Sequence, residues 1–80
     1  MPNRLWKRFR EESLAKAYAR LGLRDESIDL LREVLKSAPE KTGARVVLGA
    51  FLNLRGDYEE AVKVLTAGLD FAPDDPRLLL

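Results

Sequence analysis

The chain has no cysteine and no histidine. Their absence excludes disulfides, thiolate nucleophiles, the usual zinc ligands and an imidazole base in one step. No phosphate-cradling glycine loop, nucleophile with an adjacent base, or metal-ligand spacing stands in the sequence. An enzyme reading therefore loses its chemistry, and neither a cofactor nor a metal is expected. No apolar run approaches the roughly 20 residues that cross a bilayer. Residues 1–24 are too charged for a secretory signal, so a cytoplasmic location is the default expectation.

What is present is a soluble globular balance, 46% apolar and 34% charged residues in a chain of 80. A domain of this size buries only about 60% of the surface its unfolded chain exposes, so stacking or association would add useful stability. The net charge of +1 hides a gradient. Residues 1–24 carry seven Lys/Arg against two Glu, residues 25–56 five of each sign, and residues 57–80 two against six. Such a positive head and negative tail favours protein partners over a uniform nucleic-acid surface.

The sequence also repeats itself. Displaced by 34 residues, Leu14 aligns with Leu48, Gly22 with Gly56, Glu26 with Glu60, Leu31 with Leu65, Leu35 with Leu69, Ala38 with Ala72 and Pro39 with Pro73. Conservative pairs such as Ala15/Gly49, Asp25/Glu59 and Ile28/Val62 fall in the same register. A fixed period of this size implies stacked supersecondary units. Each unit reads as two helices. Leu14, Ala17, Tyr18 and Leu21 keep the spacing of one helix face, and Gly22 supplies the left-handed residue that closes a helix. A second helix starts at Asp25 and Glu26, carries Ile28, Leu31 and Leu35 on one stripe, and ends before Pro39. In the second unit Val47, Leu48, Phe51, Leu52 and Leu54 fill the first helix and Gly56 makes the turn. Ala61, Val62, Leu65 and Leu69 then line the next helix before Pro73.

A helical hairpin of this length that closes on proline resembles the tetratricopeptide repeat, with its pattern W-x2-L-G-x2-Y, A-x3-F, P. In the second unit Leu48 and Gly49 match L-G, Leu52 replaces the tyrosine, Ala61 is the small residue, Leu65 replaces the phenylalanine and Pro73 closes. In the first, Leu14 and Tyr18 match, Ala15 stands for the glycine, Ser27 for the alanine, Leu31 for the phenylalanine, and Pro39 closes. Glu11 and Arg45 occupy the place of the tryptophan. The resemblance implies an all-α fold, an α-α superhelical solenoid of antiparallel hairpins with four helices and a truncated fifth. Residues 1–7 would extend the first helix, 8–41 and 42–75 would be the two repeats, and 76–80 would start a third repeat or a capping helix, with Asp75 as its N-cap and Pro76 at its first position. Gly49 and Ala61, and less tightly Ala15 and Ser27, would let the paired helices approach closely.

The resemblance further implies a concave groove, lined by the first helix of each hairpin, that binds a peptide or a partner helix. By position the first unit contributes Phe9, Glu12, Ser13, Lys16, Ala19 and Arg20. The second contributes Val46, Val47, Ala50, Asn53 and Leu54, some of which are equally readable as packing residues. The family's subset that grips chaperone C-termini through Lys and Asn is excluded, because Glu12, Lys16 and Val47 stand at the corresponding sites. Leu5, Trp6 and Phe9 form a patch roughly 120° from the Leu14 stripe on a helix, with Arg4, Lys7, Arg8 and Arg10 around them. This patch is open to three readings: a cap over the first hairpin, a protein contact, or an anionic membrane or nucleic-acid contact. The acidic pairs Glu59/Glu60 and Asp74/Asp75 are read as helix-start residues that complement the dipole, not as a metal or acid–base pair.

The leading functional expectation is a non-catalytic protein–protein interaction scaffold for a protein or peptide partner. Self-association is a concrete version, with Leu78, Leu79 and Leu80 at the acidic end meeting Leu5, Trp6 and Phe9 at the basic end. The alternative is nucleic-acid or anionic-surface binding by the basic N-terminal helix, disfavoured by the acidic tail. Light scattering tests the homo-oligomer: a mass that rises with concentration is expected, and a monomer at every concentration in both low and high salt removes it.

Overall fold

The computed structural model of the protein describes residues 14–78. Residues 14–20 are helical (α1), followed by α2 (Arg24–Ser37), α3 (Thr42–Arg55), α4 (Tyr58–Gly68) and a 3-10 turn at Pro76–Leu78. No strand occurs among the described residues.

The two hairpin turns are built identically, and glycine is the reason. Gly22 has φ 82° and Gly56 φ 91°, a backbone conformation that costs a residue with a Cβ. Each reversal lets the following residue close back on the finished helix. The Leu23 N–H donates to the Tyr18 carbonyl at 2.8 Å, and the Asp57 N–H to the Leu52 carbonyl at 2.8 Å, the same bond one repeat later. These bonds satisfy carbonyls that a helix end otherwise leaves open. At the other end of α2, the Ala38 N–H still reaches the Val34 carbonyl at 2.8 Å, and Pro39, which has no N–H, stops the helix.

The core follows from where helix axes can come close. Ala15, Ile28, Leu31, Val34, Ala44, Leu48, Leu52 and Ala61 form one buried cluster. Full burial of each larger aliphatic side chain contributes about 1.5–3 kcal/mol. Within each hairpin the contact point is a pair of small residues in the same repeat positions. Ser27 is fully buried and its hydroxyl donates to the Ala15 carbonyl at 2.8 Å, fastening α1 to α2. In the second hairpin a Cβ at Gly49 would lie 2.8 Å from Leu65 Cγ and Cδ2, so only glycine admits that leucine, and Ala61 beside it is 5% exposed.

Several residues on the expected apolar stripes are not in the core. Leu14 is 41% exposed and Leu21 73%, Ala17 is exposed, and only Ala15 of α1 is fully buried. Val62 on α4 is 43% exposed, although its counterpart Ile28 on α2 is fully buried, and Leu54 is 65% exposed. The physical reason is neighbours. α3 is packed against both α2 and α4, so Leu48 and Leu52 are enclosed. α1 and α4 stand at the ends of the described α-helices, and beyond the short Pro76–Leu78 turn against Gly68 no described α-helix covers their outward positions.

Arg45, at the place of the missing tryptophan, replaces aromatic packing with polar fastening. Its Nε donates to the Pro39 carbonyl at 2.9 Å and its Nη1 to the Val64 carbonyl at 3.0 Å, and the guanidinium sits 5.8 Å from the centre of the Phe71 ring. One side chain thus ties the α2–α3 turn, α4 and the segment after α4 to the first turn of α3. Gly68 leaves room for it, since a Cβ there would lie 2.9 Å from Arg45 Cδ.

Gly49→Leu and Ala61→Leu are each expected to destabilise the fold by roughly 1–3 kcal/mol through overpacking. Urea denaturation measures this, and an unchanged midpoint for both would remove the close-contact assignment.

Candidate partner-binding face

The 34-residue register makes α1 and α3 equivalent helices of successive hairpins, with Lys16 answering to Ala50, Ala19 to Asn53 and Arg20 to Leu54. Of the expected groove residues, Lys16, Arg20, Ala50, Asn53 and Leu54 are exposed, while Ala19 and Val46 are half-buried. Val47 is different. It is half-buried and packs against the core cluster. Phe9, Glu12 and Ser13 lie outside the described residues, as do Leu5, Trp6, Leu79 and Leu80.

Two open clefts flank this scaffold. One, about 500 Å³, runs along α1 and is lined by Lys16, Ala17, Arg20 and Leu21, two cations over an apolar floor. The other, about 660 Å³, lies at the start of α4 and is lined by Gly56, Asp57, Tyr58, Glu59, Glu60 and Lys63. Two of its three acidic groups are engaged in structure. Asp57 accepts from Arg55 Nε at 2.6 Å, and Glu60 takes both Arg32 Nη2 at 2.7 Å and Arg32 Nε at 3.1 Å, joining α4 to α2. The Arg32 and Glu60 side chains remain 37% and 40% exposed, which limits such a pair to about 0–1 kcal/mol. Arg55 also reaches Asp25 at 3.2 Å, linking the second hairpin turn to the start of α2. Among the described residues no group of three or more His, Cys, Asp or Glu could hold a metal ion, and no helix is long and apolar enough to cross a membrane.

The C-terminal contact expected through Leu78 is corrected by the structure. Leu78 is fully buried, its methyl groups facing Gly68 of α4, so it packs within its own chain and is not available to a second copy. The turn that carries it is capped as expected by Asp75. The Asp75 carboxylate accepts the Arg77 N–H at 3.0 Å and pairs with the Arg77 guanidinium at 2.7 Å.

A family model for the tetratricopeptide repeat matches residues 13–76, which covers both hairpins and both turns. The chain belongs to the tetratricopeptide repeat family. Comparison with curated proteins gave no match. Tetratricopeptide repeats generally mediate protein–protein interactions and are generally non-catalytic scaffolds. Within this tetratricopeptide repeat chain, the Ser27 hydroxyl, the three-way anchor of Arg45 and the Arg32–Glu60 bridge were not legible as contacts. Their only signals were a serine where the family has alanine, and an arginine where it has tryptophan.

Hydrogen bonds from the Arg77 side chain, then from its N–H, hold the Asp75 carboxyl below the usual carboxylate range. A carboxyl depressed in the folded state stabilises above its unfolded pKa and loses that contribution as pH falls through the folded one. The Pro76–Leu78 turn is therefore expected to stay docked at neutral pH and to loosen only below about pH 4. Leu78 methyl resonances followed during acid titration check this, and Asp75→Asn should loosen the turn at neutral pH.

Proposed function

We propose that the protein is a non-catalytic interaction module that holds a peptide or partner helix along the face built by α1 and α3. The observation that carries this reading is Leu54, 65% exposed on a helix whose other side is fully enclosed. Alongside it lie Ala50 and Asn53, also exposed, and on α1 the equivalent positions Lys16 and Arg20. A strip with one large apolar residue, one amide and two cations on a rigid two-helix base suits a polypeptide. It offers anchoring area and donors without an enclosed cavity for a small molecule. α2 and α4 serve as the backing, their charges turned towards each other in the Arg32–Glu60 bridge. Proteinaceous ligands are the class the family generally engages.

Selection of peptides from a random display library against the immobilised 80-residue chain tests the proposal. Peptides that bind the wild-type chain should weaken roughly five- to tenfold with Leu54→Ala, the loss of one anchored side chain. They should be unaffected by Val62→Ala on the exposed side of α4. Failure to select any binder, or equal sensitivity to both substitutions, would remove the α1/α3 face as the binding surface.

A further inference from the structure

Most of the described cations are held in ion pairs or hydrogen bonds, although the exposed Arg24 and Lys63 have no such partner among the described residues. Away from the α1/α3 strip, Arg32 pairs with Glu60 and Asp29, Lys36 with Glu33, Arg55 with Asp25 and Asp57, and Arg77 with Asp75. On the strip, Lys16 and Arg20 are exposed one helical turn apart, and neither has a hydrogen-bond or ion-pair partner among the described residues. Like charges at that spacing repel each other along a helix. The described positions of the strip, Lys16, Ala19, Arg20, Val46, Ala50, Asn53 and Leu54, include no carboxylate; Glu12 lies outside the described residues.

The apolar groups around these cations are equally ordered. On one side of the Lys16–Arg20 row, Ala17 and Leu21 form the floor of the 500 Å³ cleft, with Leu21 73% exposed. On α3 the repeat counterparts of Lys16 and Arg20 are Ala50 and Leu54, both exposed. Three pairs result, each spaced by four residues: one cationic and two apolar. We propose that this face takes an acidic amphipathic segment of a protein partner. Two carboxylates spaced by one helical turn would lie on Lys16 and Arg20, and its apolar side chains would lie on Ala17/Leu21 and Ala50/Leu54. The inference rests on the α1/α3 binding face and adds the chemistry of its occupant. A partner of that pattern neutralises the repelling pair and covers the exposed leucines in one contact. Neither a uniformly anionic nor a purely apolar segment does both.

The test is fluorescence anisotropy of the 80-residue chain with three labelled helical peptides of one leucine-flanked design. They carry Glu, Gln or Lys at the two central positions. The Glu peptide should bind roughly tenfold tighter than the Gln peptide, the sum of two exposed ion pairs, and its advantage should shrink at high salt. Lys16→Gln with Arg20→Gln should erase the difference between the Glu and Gln peptides, and Lys16→Glu with Arg20→Glu should transfer the preference to the Lys peptide. Circular dichroism would verify that each variant is as helical as the wild type. Equal binding of the Glu and Gln peptides, still sensitive to Leu54→Ala, would overturn the acidic specificity and leave the binding face standing. Binding of no peptide in a Leu54-dependent way would overturn both. Displacement of the Glu peptide by a single-stranded oligonucleotide at equal concentration would overturn the inference in favour of phosphate recognition.

Discussion

The close approach of two helices at a pair of small residues is the constraint on which the rest of this structure depends. In the first hairpin the Ser27 hydroxyl meets the Ala15 carbonyl, and in the second Leu65 of α4 presses onto Gly49 of α3, with Ala61 buried in the same core cluster. A hairpin drawn this tight brings Leu65 to within 2.8 Å of where a Cβ at Gly49 would stand, which is the density at which a small core becomes worth having. Once the axes are that near, Ile28, Leu31, Leu48 and Leu52 are enclosed without any large aromatic at the centre. The left-handed glycines only aim the helices at each other. The small residues decide how far they travel.

A second consequence is a division between the faces of the solenoid. α3 is spent on packing along two sides, so the one side left to it, with Ala50, Asn53 and Leu54, is the surface it can offer. Charges elsewhere satisfy each other between segments, through Arg55 at the end of α3 with Asp25 and Asp57, and through Arg32 of α2 with Glu60 of α4. Glu60 near the start of α4 thereby becomes a fastener between hairpins. Among the described residues Lys16 and Arg20 have no such partner, and Leu54 is left uncovered.

The hairpin architecture also tolerates an unusual solution at a central position. Where the family has tryptophan, Arg45 reaches two backbone carbonyls and an aromatic ring. It can do so because Gly68 yields the space a side chain would take and because Pro39 presents a carbonyl at the inter-repeat turn. Leu78 settles against the same glycine. The acidic C-terminal end is therefore folded onto α4, and an apolar residue that the sequence suggests as sticky is an internal one.

By itself the sequence determined the all-α class, the period, the helix-turn-helix order, the two glycine turns and the proline stop of α2, whereas α4 ends at Gly68, before Leu69 and well short of Pro73. These are local properties: a left-handed backbone, a missing N–H and an apolar spacing act within a few residues, and the 34-residue echo confirms them against each other. Tertiary structure alone decided which apolar residues count as core. Leu14 and Leu48 are the same residue in the same repeat position, yet one is 41% exposed and the other 1%. Burial depends on what lies across from a residue, and a single helix face carries no record of how many neighbours will cover it. The same reason hid the partners of Ser27, Arg32 and Arg45, whose contacts join segments 12, 28 and 19 residues away. It also left Lys16 and Arg20, which have no partner among the described residues, indistinguishable in the sequence from the cations that the fold pairs.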